Sequence, residues 1–342
     1  MIDLRVIIPF FILMENHNRL FSELDARIRV QGLLNWSPYF YIFSMAVTAV
    51  LIAASFFMLA YVHNFWLQLA NALLLAFSFG QLGFFLHDVG HGQVVGSRWH
   101  RWMGMVFSLI LGWSLSWWIN KHNRHHAFPN QEGKDPDIDF GPLAFSKEQA
   151  GRKKGAMRAI VRHQAALFVP MLMFEAWNLR AASIRFLIHS RMKEKYLLLL
   201  FIILHVVLYG WLLLAFLPVT WAIAFAAVHW SALGIYLGLS FAPNHKGMPI
   251  VQPGSLKGFL EQQLRTTRNM RGGLVIDMLT GGLNYQIEHH LWPSMQRRSL
   301  KRAAVIVEEF CRMHGLPYHA VSVKESYGEI FGNFSKVSAS MK

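Results

Sequence analysis

The 342 residues are 54% hydrophobic and carry 33 Lys and Arg against 19 Asp and Glu, a net charge of +14. That apolar share, with a positive mean hydropathy, excludes an ordinary soluble domain. The lone Cys311 excludes an intramolecular disulfide and any cysteine-based zinc or iron-sulfur site, and basic residues scattered without a recognition motif exclude nucleic acid as a partner.

Residues 1–36 read as a short cytoplasmic or interfacial lead whose apolar patch, Val6 to Met14, suits an interfacial anchor helix. No Asp, Glu, Lys or Arg occurs from Val30 to His87, or from Tyr196 to His245. Each stretch has room for two spans of about 20 residues. Spans are therefore predicted at 38–62, 65–86, 196–217 and 219–242, as two hairpins (38–86 and 196–242) turning at His63-Asn64 and Pro218. The run Met103 to Trp118 is about 24 Å long as a helix, short of the about 30 Å hydrocarbon core, and is laid in the interface.

The charge lies outside the hairpins, and the positive-inside rule then puts both termini and residues 87–195 and 243–342 in the cytoplasm. Residues 145–195 hold eleven Lys or Arg between apolar positions and read as amphipathic helices lying on membrane lipid and capping the site. A final helix is expected over Ser299 to His314, with Ser299 as N-cap and Gly315 as the stop. The expected fold is all-α: one integral membrane domain over 1–342, with four transmembrane helices, interfacial helices and a cytoplasmic helical cap.

Three histidine clusters carry the chemistry: His87-Asp88-Val89-Gly90-His91, His122-Asn123-Arg124-His125-His126 and Gln286-Ile287-Glu288-His289-His290. Helical residues three and four apart share a face, so each cluster converges like a claw. The second and third end alike, with proline two residues beyond the cluster's last helical neighbour, Ala127-Phe128-Pro129 and Leu291-Trp292-Pro293. Seven imidazoles without thiolates suit a site for two transition-metal ions, not structural zinc. Asp88 and Glu288, the acids inside the claws, are candidate catalytic-site residues that accept the other ring N–H of a ligand; Asp135, Asp137 and Asp139 can serve similarly.

These clusters resemble those of the membrane fatty acid desaturase superfamily, over about residues 80–320. The resemblance rests on His87-Asp88-x-x-His91, on Trp117-Trp118 through His125-His126-Ala127-x-Pro129-Asn130, on Asp135-Pro136-Asp137, and on Gly282-Leu283-Asn284-Tyr285-Gln286-Ile287-Glu288-His289-His290-Leu291-x-Pro293. The glutamine opening the third box resembles the front-end desaturases. The resemblance implies a di-iron centre between four spans and a cytoplasmic cap, with O2 as co-substrate. It implies the ligands His87, His91, His122, His125, His126, His289 and His290, a further ligand after the fourth span, where His245 stands, and Gln286 as a weak ligand or hydrogen-bond partner.

An unactivated methylene C–H bond resists any side-chain acid or base, so the hard step belongs to the metal cofactor. The expected function is oxygen-dependent desaturation of a fatty acyl chain carried on coenzyme A, a carrier protein or a lipid. Hydroxylation or acetylenation on the same scaffold is the alternative within the class, and a histidine-rich metal transporter or sensor the alternative outside it. A transporter places its ligands near the bilayer midplane, whereas the claws flank the spans. Many eukaryotic front-end members carry a fused haem domain with His-Pro-Gly-Gly; that motif does not occur here, so electrons are expected from an external ferredoxin-type or cytochrome donor, and a bacterial inner membrane is the expected location.

Overall fold

The computed structural model describes residues 18–94, 97–139, 141–256 and 258–341. The anchor patch Val6 to Met14 lies outside the described residues. The chain divides into two compact units, Trp36–Asn120 with Phe168–Leu239, and Met1–Asn35 with Lys121–Leu167 and Ser240–Lys342. We call them the span unit and the histidine unit.

Helices α1 (18–30), α2 (Tyr39–Tyr61), α3 (Phe65–Gly90), α4 (Ser97–Leu111) and α5 (Leu115–Ala127) come first. Four short or amphipathic helices follow, α6 (Lys147–Arg152), α7 (Gly155–Arg162), α8 (Gln164–Leu172) and α9 (Glu175–His189), then the long α10 (Lys195–Phe216) and α11 (Val219–His245). The remainder is α12 (Phe259–Thr266), β1 (Asn269–Arg271), α13 (Leu274–Leu279), α14 (Gln286–Leu291), α15 (Arg297–Met313), β2 (Ala320–Ser322) and α16 (Val323–Ala339).

Among the described residues, α2, α3, α10 and α11 are the four helices long and apolar enough to cross a membrane. Their bounds lie within four residues of the predicted spans. The most apolar windows of α2 and α10 are only 17% and 22% buried, against 61% for α3. Exposed Phe43, Val50 and Phe57 on α2, and Ile203, Val207 and Trp211 on α10, are stable in lipid but not in water. The amide donors at the first turn are satisfied internally, as hydrocarbon demands. Gln68 donates to the carbonyls of Met58 and Val62 (2.8 and 2.7 Å), Asn71 to that of Ser55 (3.0 Å), and the Asn64 side chain caps α3 through Leu67 N–H.

The run expected to lie flat is a bent pair, α4 and α5 meeting at 105° around Gly112, whose φ is +76°. Arg180 of α9 donates to the freed carbonyl of Leu111 (3.0 Å), and Ser183 Oγ accepts Ser114 N–H (2.7 Å). His205 and His229, mid-span, are buried and hydrogen-bonded, to Arg180 (3.2 Å) and to the Tyr209 hydroxyl (2.8 Å).

The histidine unit is built on an apolar core of Leu24, Ile28, Leu264, Ile287, Leu300 and Phe310. It corrects three expectations. The fold is mostly but not wholly helical, because β1 and β2 pair in parallel, Asn269 opposite Ala320 and Arg271 opposite Ser322. A helix at 323–339, α16, was not expected; its Ser322 and Glu325 form a capping box. And α15 begins at Arg297 behind Gln296, not behind Ser299, which is buried in the first turn with its N–H on the Gln296 carbonyl (2.8 Å). Burial of Met295 and Leu300 sets that start, not a capping hydroxyl. Gly315, at φ +63°, ends the helix as expected.

Candidate metal centre

Six of the eight imidazoles expected to bind metal lie in the histidine unit: His122, His125 and His126 near the end of α5, His245 at the end of α11, and His289 and His290 on α14. Both α5 and α14 stop two residues short of a proline. His125, His245 and His290 are buried and bring ligand atoms within 4.8 Å of one another. Their ring centroids are 4.4 Å (His125 to His245), 5.1 Å (His125 to His290) and 4.6 Å (His245 to His290) apart. His122 and His289 approach within the same 4.8 Å limit. His126 belongs to neither set; its Nε2 lies 2.9 Å from that of His122 and its ring stacks on His290 at 4.1 Å.

The surroundings assign the tautomers. His125 Nδ1–H donates to the Asp135 carboxylate (3.0 Å), and His245 Nδ1–H to the Thr266 carbonyl (3.1 Å), neither of which can donate in return. Both Nε2 atoms are then lone-pair nitrogens, yet they face each other at 3.2 Å. A cation between them, a proton or a metal ion, makes that approach favourable. His290 repeats the pattern: its Nδ1 meets Gln263 Oε1 (2.9 Å), and Gln263 is oriented by donating to the His126 carbonyl (3.1 Å). Three imidazoles so prepared, with ligand nitrogens converging and every outer nitrogen committed, are the donor set that a divalent transition metal takes.

The acids around this cluster are held as firmly. Asp135 also accepts the N–H groups of Asn130 (2.7 Å) and Asp137 (2.8 Å), fixing the loop after Pro129. Burial resists charging of His125, but Asp135 and Asp137 outweigh it and raise its pKa. Burial likewise opposes ionisation of Asp137; Lys121, His125 and Lys246 overcome it and hold the carboxyl well below the usual range. Glu288 is bound away from the ligand rings, accepting from Asn269 Nδ2 (2.8 Å) and the Tyr318 hydroxyl (3.0 Å), and burial pushes its pKa up to about 7 despite those donors. Gln286 bridges Asn244 (3.1 Å) and His245 Nε2 (3.0 Å) through its amide.

The span unit holds the first claw. His87 and His91 rings are 4.8 Å apart, and His87 Nδ1 meets the Asp88 carboxylate at 3.0 Å. Trp118 packs edge-on against both, at 5.1 and 5.5 Å. A Cβ on Gly90 would stand 2.2 Å from that indole, so glycine is what admits it.

Sequence reading missed Asn130, Gln263, Thr266, Asn269 and Tyr318. Asn130 lies beside the second box and was within reach. The others sit on α12 or near β1 and β2, where no local pattern sets a polar residue apart.

The fatty acid desaturase family profile matches residues 64–322. The chain is 34% identical to an acyl-lipid (9-3)-desaturase of Physcomitrium patens, covering 89% of this chain and 59% of that protein. It is 30% identical to a delta(8)-fatty-acid desaturase of Euglena gracilis (87% of this chain, 74% of that one) and 33% identical to a delta(5) fatty acid desaturase of Caenorhabditis elegans (88% and 70%).

Proposed function

The chain belongs to the fatty acid desaturase family, and on that premise we propose that it is an oxygen-dependent, di-iron acyl desaturase that introduces a double bond into a fatty acyl chain. The observation that carries the reading is the convergence of His125, His245 and His290, whose outer nitrogens are all committed to acceptors. We assign His122, His125, His126, His245, His289 and His290 as ligands, and His87 and His91 with them from the order of the boxes. When bound, iron and O2 supply the power to oxidise a methylene C–H bond, which no side chain possesses. Asp135, Gln263 and Thr266 hold the imidazole tautomers and fix each ring's direction. Gln286, held by Asn244, orients His245 and the open side of the cluster.

The same reading places the spans as two hairpins in a bacterial inner membrane, with the cap and both termini cytoplasmic. Electrons come from a separate acidic protein. Arg297, Arg298, Lys301 and Arg302 crowd the first turns of α15. Cations there oppose the helix dipole, and Arg298, Lys301 and Arg302 are exposed although Arg298 also reaches the Asn35 carbonyl (3.2 Å) and Lys301 stands 3.6 Å from Asp277, which suits a surface kept for an anionic partner.

Gas chromatography of total fatty acids from cells expressing the chain tests the activity. A new unsaturated acyl product that disappears with His290→Ala is expected; an unchanged profile across supplied saturated and unsaturated substrates, with the protein present in the membrane, contradicts it.

A further inference from the structure

A helix leaves its last carbonyl oxygens without intrahelical partners, and α11 ends on a ligand candidate, so what holds those oxygens holds His245. One residue does most of it. Arg268 donates its backbone N–H to the Asn244 carbonyl (2.9 Å), its Nε to that of Pro243 (2.8 Å) and its Nη2 to that of Lys246 (2.9 Å). It thereby grips the backbone on both sides of His245. Its guanidinium is fully buried, and its remaining arm, Nη1, pairs with Glu329 of α16, which His319 braces at 3.0 Å. Ser326 adds a bond to the Pro243 carbonyl (3.1 Å). Two residues earlier on the same segment, the Thr266 carbonyl takes the ring N–H of His245 (3.1 Å), so residues 266–268 hold this histidine by ring and backbone together.

A buried cation is costly, and an apolar residue would fill the space more cheaply. The planar fork of arginine is what spans carbonyls on either side of one residue; a lysine presents a single nitrogen. The cation also sits where the helix dipole is negative.

We propose that Arg268 is a positioning residue for the His125, His245 and His290 cluster, setting the depth and rotation at which His245 Nε2 meets its partners. This rests on reading that cluster as a metal subsite. The test is metal content of purified, iron-reconstituted full-length protein by mass spectrometry, with iron-57 Mössbauer spectra and a thermal unfolding curve for each variant. The expected result is that Arg268→Ala retains one iron equivalent and weakens the other about 10–100-fold, removing one of the two iron environments, with added guanidinium restoring it. Arg268→Lys recovers only part of the loss. Glu329→Gln, which loosens the fork without emptying the site, weakens the same equivalent less. Two equivalents with wild-type spectra in Arg268→Ala would falsify the assignment, and so would loss of both in proportion to lost folding. Should Arg268→Ala not fold, an unchanged metal affinity in Glu329→Gln overturns it. A wild-type protein that binds no iron would instead remove the functional reading on which the inference stands.

Discussion

The two units solve the burial of polar groups differently. In the span unit several polar side chains serve the backbone: Gln68, Asn71 and Arg180 close carbonyls at helix ends and bends, beside a large exposed apolar surface. Around the His125, His245 and His290 cluster of the histidine unit, polar side chains serve other side chains as well: Asp135, Gln263 and Asn244 take up the outer faces of groups whose inner faces converge. Hydrogen bonds of the first kind stabilise a scaffold. In the second, committing the outer nitrogens of His125, His245 and His290 creates an inward demand for a cation.

Substitutions at the cluster are the hardest test of that contrast. His125→Ala and His290→Ala each remove an inward nitrogen with no neighbour able to replace it, and activity should fall below detection with loss of bound metal, measured by product analysis and mass spectrometry. His205→Ala, a buried histidine of the span unit, should lower stability while the protein that folds keeps its metal; equal metal loss in all three would erase the distinction between the units.

The next effect is one layer out. Asp135→Asn replaces an acceptor-only carboxylate by an amide that can donate, so the His125 tautomer is no longer enforced, and metal affinity should drop about 10–100-fold, read by chelator competition. Gln286→Ala should keep both metals and lose much of its turnover, since its amide touches His245 without carrying one of the converging imidazoles. A Gln286→Ala protein with full turnover would make the residue dispensable.

The smallest effect concerns the donor surface. Reversing Arg297, Arg298, Lys301 and Arg302 to glutamate should slow turnover at limiting electron donor, with a shallower dependence on ionic strength and unchanged metal content. A normal dependence on donor concentration in neutral detergent would assign these charges to lipid instead.

What was legible in the sequence follows the same division. Spans rest on length and hydropathy, both local, and α2, α3, α10 and α11 fall where the uncharged stretches put them. The claws rest on helical spacing, also local. The bend at Gly112 and the start of α15 were not legible, because Arg180 comes from 69 residues away to close the Leu111 carbonyl at the one and core burial of Met295 decides the other. Gln263, Thr266, Arg268 and Asn269 surround the cluster through contacts spanning 18 to 137 residues, and nothing in Gln262 to Asn269 separates them from an ordinary amphipathic helix and its exit. β1 and β2 escaped because three-residue strands have no periodicity to read, whereas α16 carried a local signal, its Ser322 and Glu325 capping box, that went unread.

The most direct measurement is iron-57 Mössbauer spectroscopy on the reconstituted protein, with iron counted per chain. The di-iron reading gives two iron atoms per chain in nitrogen-rich sites, both lost in His125→Ala with His122→Ala combined. One iron or none per folded chain, or two that survive that double substitution unchanged, would contradict it.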